Sequence, residues 1–143
     1  MEDENARIMV HLCFSGFSAD PSSISAMLDL EPVALHRVGD ARIGTNVVRK
    51  RSFWATELMH STGTDVGLAI AEAVKQIASR ASAISQITGQ VTDQSYLGVA
   101  VTYRSNKPFI NISSDVIMNI AAMSLALDIE LFPITSDDEA GAG

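Results

Sequence analysis

Residues 7–28 read RIMVHLCFSGFSADPSSISAML, and this stretch decides the fold class. From Arg7 to Phe17, Ile8, Val10, Leu12 and Phe14 alternate with Met9, His11 and Cys13. Apolar groups on both sides of an extended segment are the pattern of a central strand covered on at least one face. Ser18-Ala19-Asp20-Pro21 then changes the geometry. The Asp20 carboxylate can accept the free N–H groups of a helix start, and Pro21, with no N–H and a preset φ, suits the first helical position. The spacing predicts a helix over Pro21–Leu28 with Ile24, Met27 and Leu28 facing inward, and Pro32 marks its exit.

Outward from this unit, Ser52–Met59 reads as a strand with Phe53, Ala55 and Glu57 on one face and Trp54, Thr56 and Leu58 on the other. Thr62-Gly63-Thr64-Asp65 opens the longest expected helix, about residues 65–87, whose stripe Ile70, Val74, Ile77, Ala81 and Ile84 keeps one face against a sheet. Gln94–Arg104 reads as a strand carrying Leu97, Val99, Val101 and Tyr103 on one face. Ser105-Asn106-Lys107 leads into Pro108–Ile112, and the pair reads as a hairpin. A helix over residues 116–127 follows the Ser113-Ser114-Asp115 start, then a last strand from Asp128 to Ile134. Met27, Met59, Met118 and Met123 read as core filler. The order β-α-β-α-β-β-α-β specifies an α+β domain, an antiparallel or mixed sheet with helices packed mainly on one face. Its opening strand–helix–strand outline recurs at the end. One domain is expected over residues 1–136, and Asp137–Gly143, acidic and glycine-rich, reads as a disordered tail.

Composition narrows the function classes. At 143 residues the chain can bury roughly two-thirds of its unfolded surface, so a core needs no metal or disulfide. The one cysteine, Cys13, cannot form an internal disulfide. The acidic start and the lack of a bilayer-length apolar run give a cytoplasmic protein with no membrane partner. A net charge of −7 argues against general nucleic-acid binding, whose phosphates need a cationic surface. Yet Arg37, Arg42, Arg49, Lys50 and Arg51, half of the ten basic residues, fall within one short segment.

The order of short motifs carries a resemblance. Asp20-Pro21 follows the opening strand, then come Ile24-Ser25, Leu28, Glu31-Pro32 and Gly39-Asp40. A basic stretch leads to the lone Trp54, and Phe109-Ile110-Asn111-Ile112-Ser113 precedes a helix and Leu127-Asp128-Ile129-Glu130-Leu131. Over about residues 7–134 this resembles the bacterial domain-of-unknown-function family 4279 (DUF4279). The chain departs from that pattern in ending its last strand Leu131-Phe132, where tyrosine is common, and in the length of the loop from Asp40 to Trp54. The resemblance implies no reaction; its one functional lead is that proteins of related architecture have been suggested as immunity proteins against toxins.

The candidate site is the segment His36-Arg37-x-Gly39-Asp40-x-Arg42 continued by Arg49, Lys50, Arg51 and Trp54. Arginine forks pair bidentately with carboxylate or phosphate, and Trp54 offers a cation–π surface. The alternative is a solvated turn with Trp54 in the core. His11 and Cys13 share a strand face, but a zinc site needs a third ligand, and only His36 and His60 remain as imidazoles. No phosphate loop, dinucleotide fingerprint or nucleophile elbow is present, so no catalytic residue, metal or cofactor is assigned. Three functions are compatible with this reading. One is a small immunity or inhibitor protein that blocks a protein partner, itself basic since the chain is acidic. The second is an anion or small-ligand domain, a binding or an enzymatic one, using loop 36–51. The third is a self-associating domain, a homodimer paired through the expected hairpin edge near residues 103–110.

Overall fold

The computed structural model describes residues 6–134 apart from residues 43 and 106. The acidic tail expected at 137–143 and the ends of the 1–136 domain lie outside them. The elements are β1 (Arg7–Phe17), α1 (Pro21–Leu28), β2 (Ala34–His36), β3 (Phe53–Thr62), α2 (Val66–Ile77), a 3-10 turn (Ala78–Arg80), α3 (Ala81–Thr88), β4 (Val91–Tyr103), α4 (Ser114–Ala122) and β5 (Ala126–Pro133). They form an α+β structure with one mixed sheet of order β2-β3-β1-β4-β5. β1 lies antiparallel between β3 and β4, as its two-sided apolar pattern requires. β2 pairs antiparallel with β3, while β5 runs parallel to β4 because α4 supplies the crossover between them. Both strand–helix–strand units thus join parallel strands, but β3 separates β1 from β2 and nothing separates β4 from β5.

Strand alternation divides the sheet into two unlike faces. Ile8, Val10, Leu12 and Phe14 of β1, Trp54 of β3, and Leu97, Val99 and Val101 of β4 are buried with Ile24, Leu28, Ile70, Ile77, Ile84 and Ile120 of the helices in one core. All four helices contribute buried residues to that core, and they lie on this one face. The opposite face, carrying Met9, His11, Cys13, Phe53, Ala55, Tyr96, Asp128 and Glu130, has no helix over it among the described residues.

The caps match their chemistry. The Asp20 carboxylate accepts the Ser22 N–H at 2.9 Å, with Pro21 opening α1. Asp65 caps α2 at Leu68 N (3.0 Å), and Ser113 caps α4 at Val116 N (3.3 Å). α2 and α3 divide the one helix expected over 65–87. At the break, the Arg80 guanidinium reaches back to the Leu28 carbonyl, a group left open by the end of α1.

Two further expectations need correction. The arm expected at Pro108–Ile112 is not a strand, so there is no hairpin. Phe109 instead makes a single parallel bridge with Asp65, its N–H donating to Thr64 O (3.0 Å) and its carbonyl accepting from Val66 N (3.2 Å). The segment is held against the start of α2, where Gly67 leaves room for the Asn111 carbonyl. Among the described residues the free edges of the sheet are therefore β2 and β5, not residues 103–110. Of the methionines, Met123 is buried and Met59 packs on the core, but Met118 is 67% exposed and Met27 39%.

Candidate functional site

The basic segment folds into a short two-armed projection between β2 and β3. Gly39 takes φ 93°, a turn conformation glycine adopts without strain, and the Asp40 carboxylate accepts the Arg37 N–H at 2.7 Å. Arg49 N donates to Asp40 O (2.7 Å), Gly39 N to Arg49 O (2.8 Å) and Arg42 N to Val47 O (2.9 Å), with Ala41 and Val48 bridged antiparallel. Asp40 is thus a turn former here.

Two of the arginines are engaged within the fold. Arg37 grips Asp20 with Nη2 on Oδ1 (2.9 Å) and Nε on Oδ2 (3.3 Å). That pairing, with the Ser22 N–H and hydroxyl, holds the Asp20 carboxyl well below the usual range. Arg51 reaches Asp93 at 2.6 Å; the Ser15 hydroxyl, and then Arg51, lower the Asp93 pKa. Arg42 and Lys50 are exposed and Arg49 half-buried, and no carboxylate among the described residues pairs with any of the three. Arg49 and Arg42 add to burial in lowering the pKa of His36, whose ring stacks on Phe53 at 5.4 Å. Trp54 is not in this group. It is fully buried on the helix-covered face, 5.8 Å from the Phe14 ring, and its indole N–H donates to Ser25 Oγ at 2.9 Å.

The uncovered face of the sheet offers a different surface. The strand registers set His11 between Glu57 on β3 and Gly98 on β4, with Asp128 beyond Gly98 on β5. The next rows place Cys13 between Ala55 and Tyr96, and Ala100 beside Glu130. Together with Phe53, Val33 and Phe132, all of these residues except Glu57 line an open groove of about 330 Å³. Gly98 forms part of its floor, and the Tyr96 ring lies over it: a methyl at Gly98 would sit 3.3 Å from Tyr96 Cε2 and 3.8 Å from Cys13 Sγ.

Burial pushes the Cys13 thiol up to about 11, against hydrogen bonds from Tyr96 and the Gly98 backbone that act in the opposite direction. Burial, then Cys13, then the charges of Asp128 and Glu130 push Tyr96 up to about 12. Both groups keep their protons at neutral pH, and a protonated thiol is a poor nucleophile and a poor metal ligand. His11 and Cys13 share a face as expected, and no group of three potential metal ligands occurs among the described residues. Glu57, Asp128 and Glu130 are exposed, and no cation among the described residues pairs with them.

Sequence reasoning missed this surface because its residues are spread over four strands. The local signal was Leu127-Asp128-Ile129-Glu130-Leu131, whose alternation puts both carboxylates on one face of the last strand.

The family model described as "Domain of unknown function (DUF4279)" matches residues 6–132, and the chain belongs to that family. No curated protein and no solved structure matches it. No helix among the described residues is long and apolar enough to cross a membrane.

Proposed function

We propose that this DUF4279 chain is a binding protein of the immunity or inhibitor kind, holding a basic protein partner against the uncovered face of its sheet. The observation that carries this reading is the apolar groove at His11, Cys13 and Tyr96, edged by Asp128 and Glu130 and with Glu57 opposite His11 on β3, the three carboxylates having no cationic partner among the described residues. Carboxylates aligned beside apolar surface favour lysine- or arginine-bearing partners, and the net charge of −7 speeds their approach. A cytoplasmic setting goes with a free, buried Cys13 thiol. The test is paired capture from the native host with the wild-type chain and with Glu57→Lys/Asp128→Lys/Glu130→Lys. A stoichiometric basic protein retained by the wild type and lost with the variant supports the proposal. Equal retention by both, or no basic protein on either, refutes it.

A second reading keeps the basic projection as an anion site. Its support is the field of Arg49 and Arg42 at His36, together with the absence of carboxylate partners for these arginines and Lys50 among the described residues. Arg37 and Arg51 contribute less, since Asp20 and Asp93 already neutralise them. A thermal-shift series with phosphate, nucleotides and carboxylates tests it. A response unchanged in Arg42→Ala/Arg49→Ala would sink it.

A further inference from the structure

The outer edge of β5 is the longer of the sheet's two free edges. β5 spans eight residues, whereas β2 spans three. β5 pairs with β4 along its whole length, and no described strand lies on its other side. Alternate residues of such a strand direct N–H and C=O groups outward, and these form a template for one more strand. Its two faces are chemically distinct. Asp128, Glu130 and Phe132 project to the uncovered face, while Leu127, Ile129 and Leu131 project to the helix side, with Leu131 43% exposed.

The charges select the occupant. If two copies paired edge to edge about a twofold axis, β5 would lie antiparallel to itself with like faces matched. Centred near Ile129, that pairing sets Asp128 opposite Glu130 of the second copy. Moved one step either way, it sets Asp128 against Asp128 or Glu130 against Glu130. Each of these registers brings carboxylates directly opposite one another, which is destabilising. A second copy is therefore disfavoured in these registers, and a segment with cations at those positions is favoured.

We infer that β5 accepts an extended segment of a basic partner as a sixth strand, with Lys or Arg at alternate positions opposite Asp128 and Glu130 and apolar residues beside Ile129 and Leu131. This rests on the basic-partner reading and adds the mode of contact. Backbone hydrogen bonds would supply attraction, and the alternating side chains would supply selectivity.

The test uses the full chain and synthetic nine-residue peptides alternating lysine with valine or glutamate with valine, followed by fluorescence anisotropy. Two further lysine peptides carry N-methyl groups on one or the other alternate set of backbone nitrogens. The lysine peptide is expected to bind at least tenfold tighter than the glutamate peptide. Asp128→Lys/Glu130→Lys is expected to reverse that order. One N-methylated set is expected to lose at least tenfold in affinity and the other to stay within about twofold, since only one set faces β5. Lysine preference without any difference between the N-methylated sets overturns strand addition and leaves the basic-partner reading standing. Equal binding of the lysine and glutamate peptides overturns both.

Discussion

Gly67→Ala offers a test of the packing in which the sign of the effect is diagnostic. Gly67 is buried in the first turn of α2, and a methyl there would lie 1.9 Å from the Asn111 carbonyl oxygen and 2.9 Å from its carbon. Reaching an ordinary contact of ~3.5 Å requires the 108–112 segment to retreat by about 1.6 Å. That segment is tied to the entry of α2 by the two Phe109 backbone hydrogen bonds. In an unpacked helix alanine would be favoured over glycine by about 1 kcal/mol. Against this stand about 1–3 kcal/mol for overpacking and about 1 kcal/mol for each Phe109 hydrogen bond that the retreat breaks. The expected balance is a loss of about 1–3 kcal/mol. In urea, with a slope of ~1–3 kcal/mol per molar, the unfolding midpoint falls by about 1 M, followed by far-UV circular dichroism. A variant stabilised by the ~1 kcal/mol of helix propensity would refute the close approach of Asn111 to α2.

Two further perturbations test the core and the groove. Ser25→Ala strands the buried Trp54 indole N–H and is expected to cost about 1–3 kcal/mol. Added to Trp54→Phe, which removes that donor, the same change should cost markedly less, and additive losses would show that the hydrogen bond does not couple them. Cys13 gives a pH signature. Its folded pKa lies above the ordinary value of 9.0, near 11, so the folded state keeps a proton that the unfolded state sheds in that interval. Stability is therefore unaffected by this thiol below about pH 9 and declines as pH rises toward 11, by about 2 kcal/mol. Cys13→Ala should flatten that part of the stability profile; thermal melts from pH 8 to 10.5 with unchanged slope in the variant would contradict it.

The fold was legible where local chemistry and tertiary packing agreed. Asp20-Pro21 states a helix start in two residues, and the alternation from Ile8 to Phe14 states a strand, so β1 and α1 occur over the expected residues. Pro108–Ile112 misled because its composition suits an extended chain. An extended chain needs a pairing partner to be a strand, and the one it meets is the start of α2, through Asp65. β2 was illegible for the opposite reason: three residues carry no periodicity, and only the neighbouring β3 makes Ala34–His36 a strand. The charges of the basic segment lie within fifteen positions of one another in sequence. Folding separates them, sending Arg37 to Asp20 and Arg51 to Asp93, and encloses Trp54. The groove at Cys13 and Tyr96 joins residues more than eighty positions apart, which no local pattern encodes.

The central position of β1 also constrains how the chain can be made. β1 is synthesised before every other described element, yet one of its two neighbours is β4, whose register runs from Val91 opposite Phe17 to Thr102 opposite Arg7. At ~5–20 residues per second, roughly 86 residues separate the end of β1 from the end of β4, a delay of about 4–17 s. During that interval β3 can pair with one edge of β1, but the other edge, flanked by Ile8, Val10, Leu12 and Phe14, stays open. Such non-local closure slows folding and exposes an apolar strand to other nascent chains. The strand that ends up best protected in the finished molecule is thus its most vulnerable part on the ribosome.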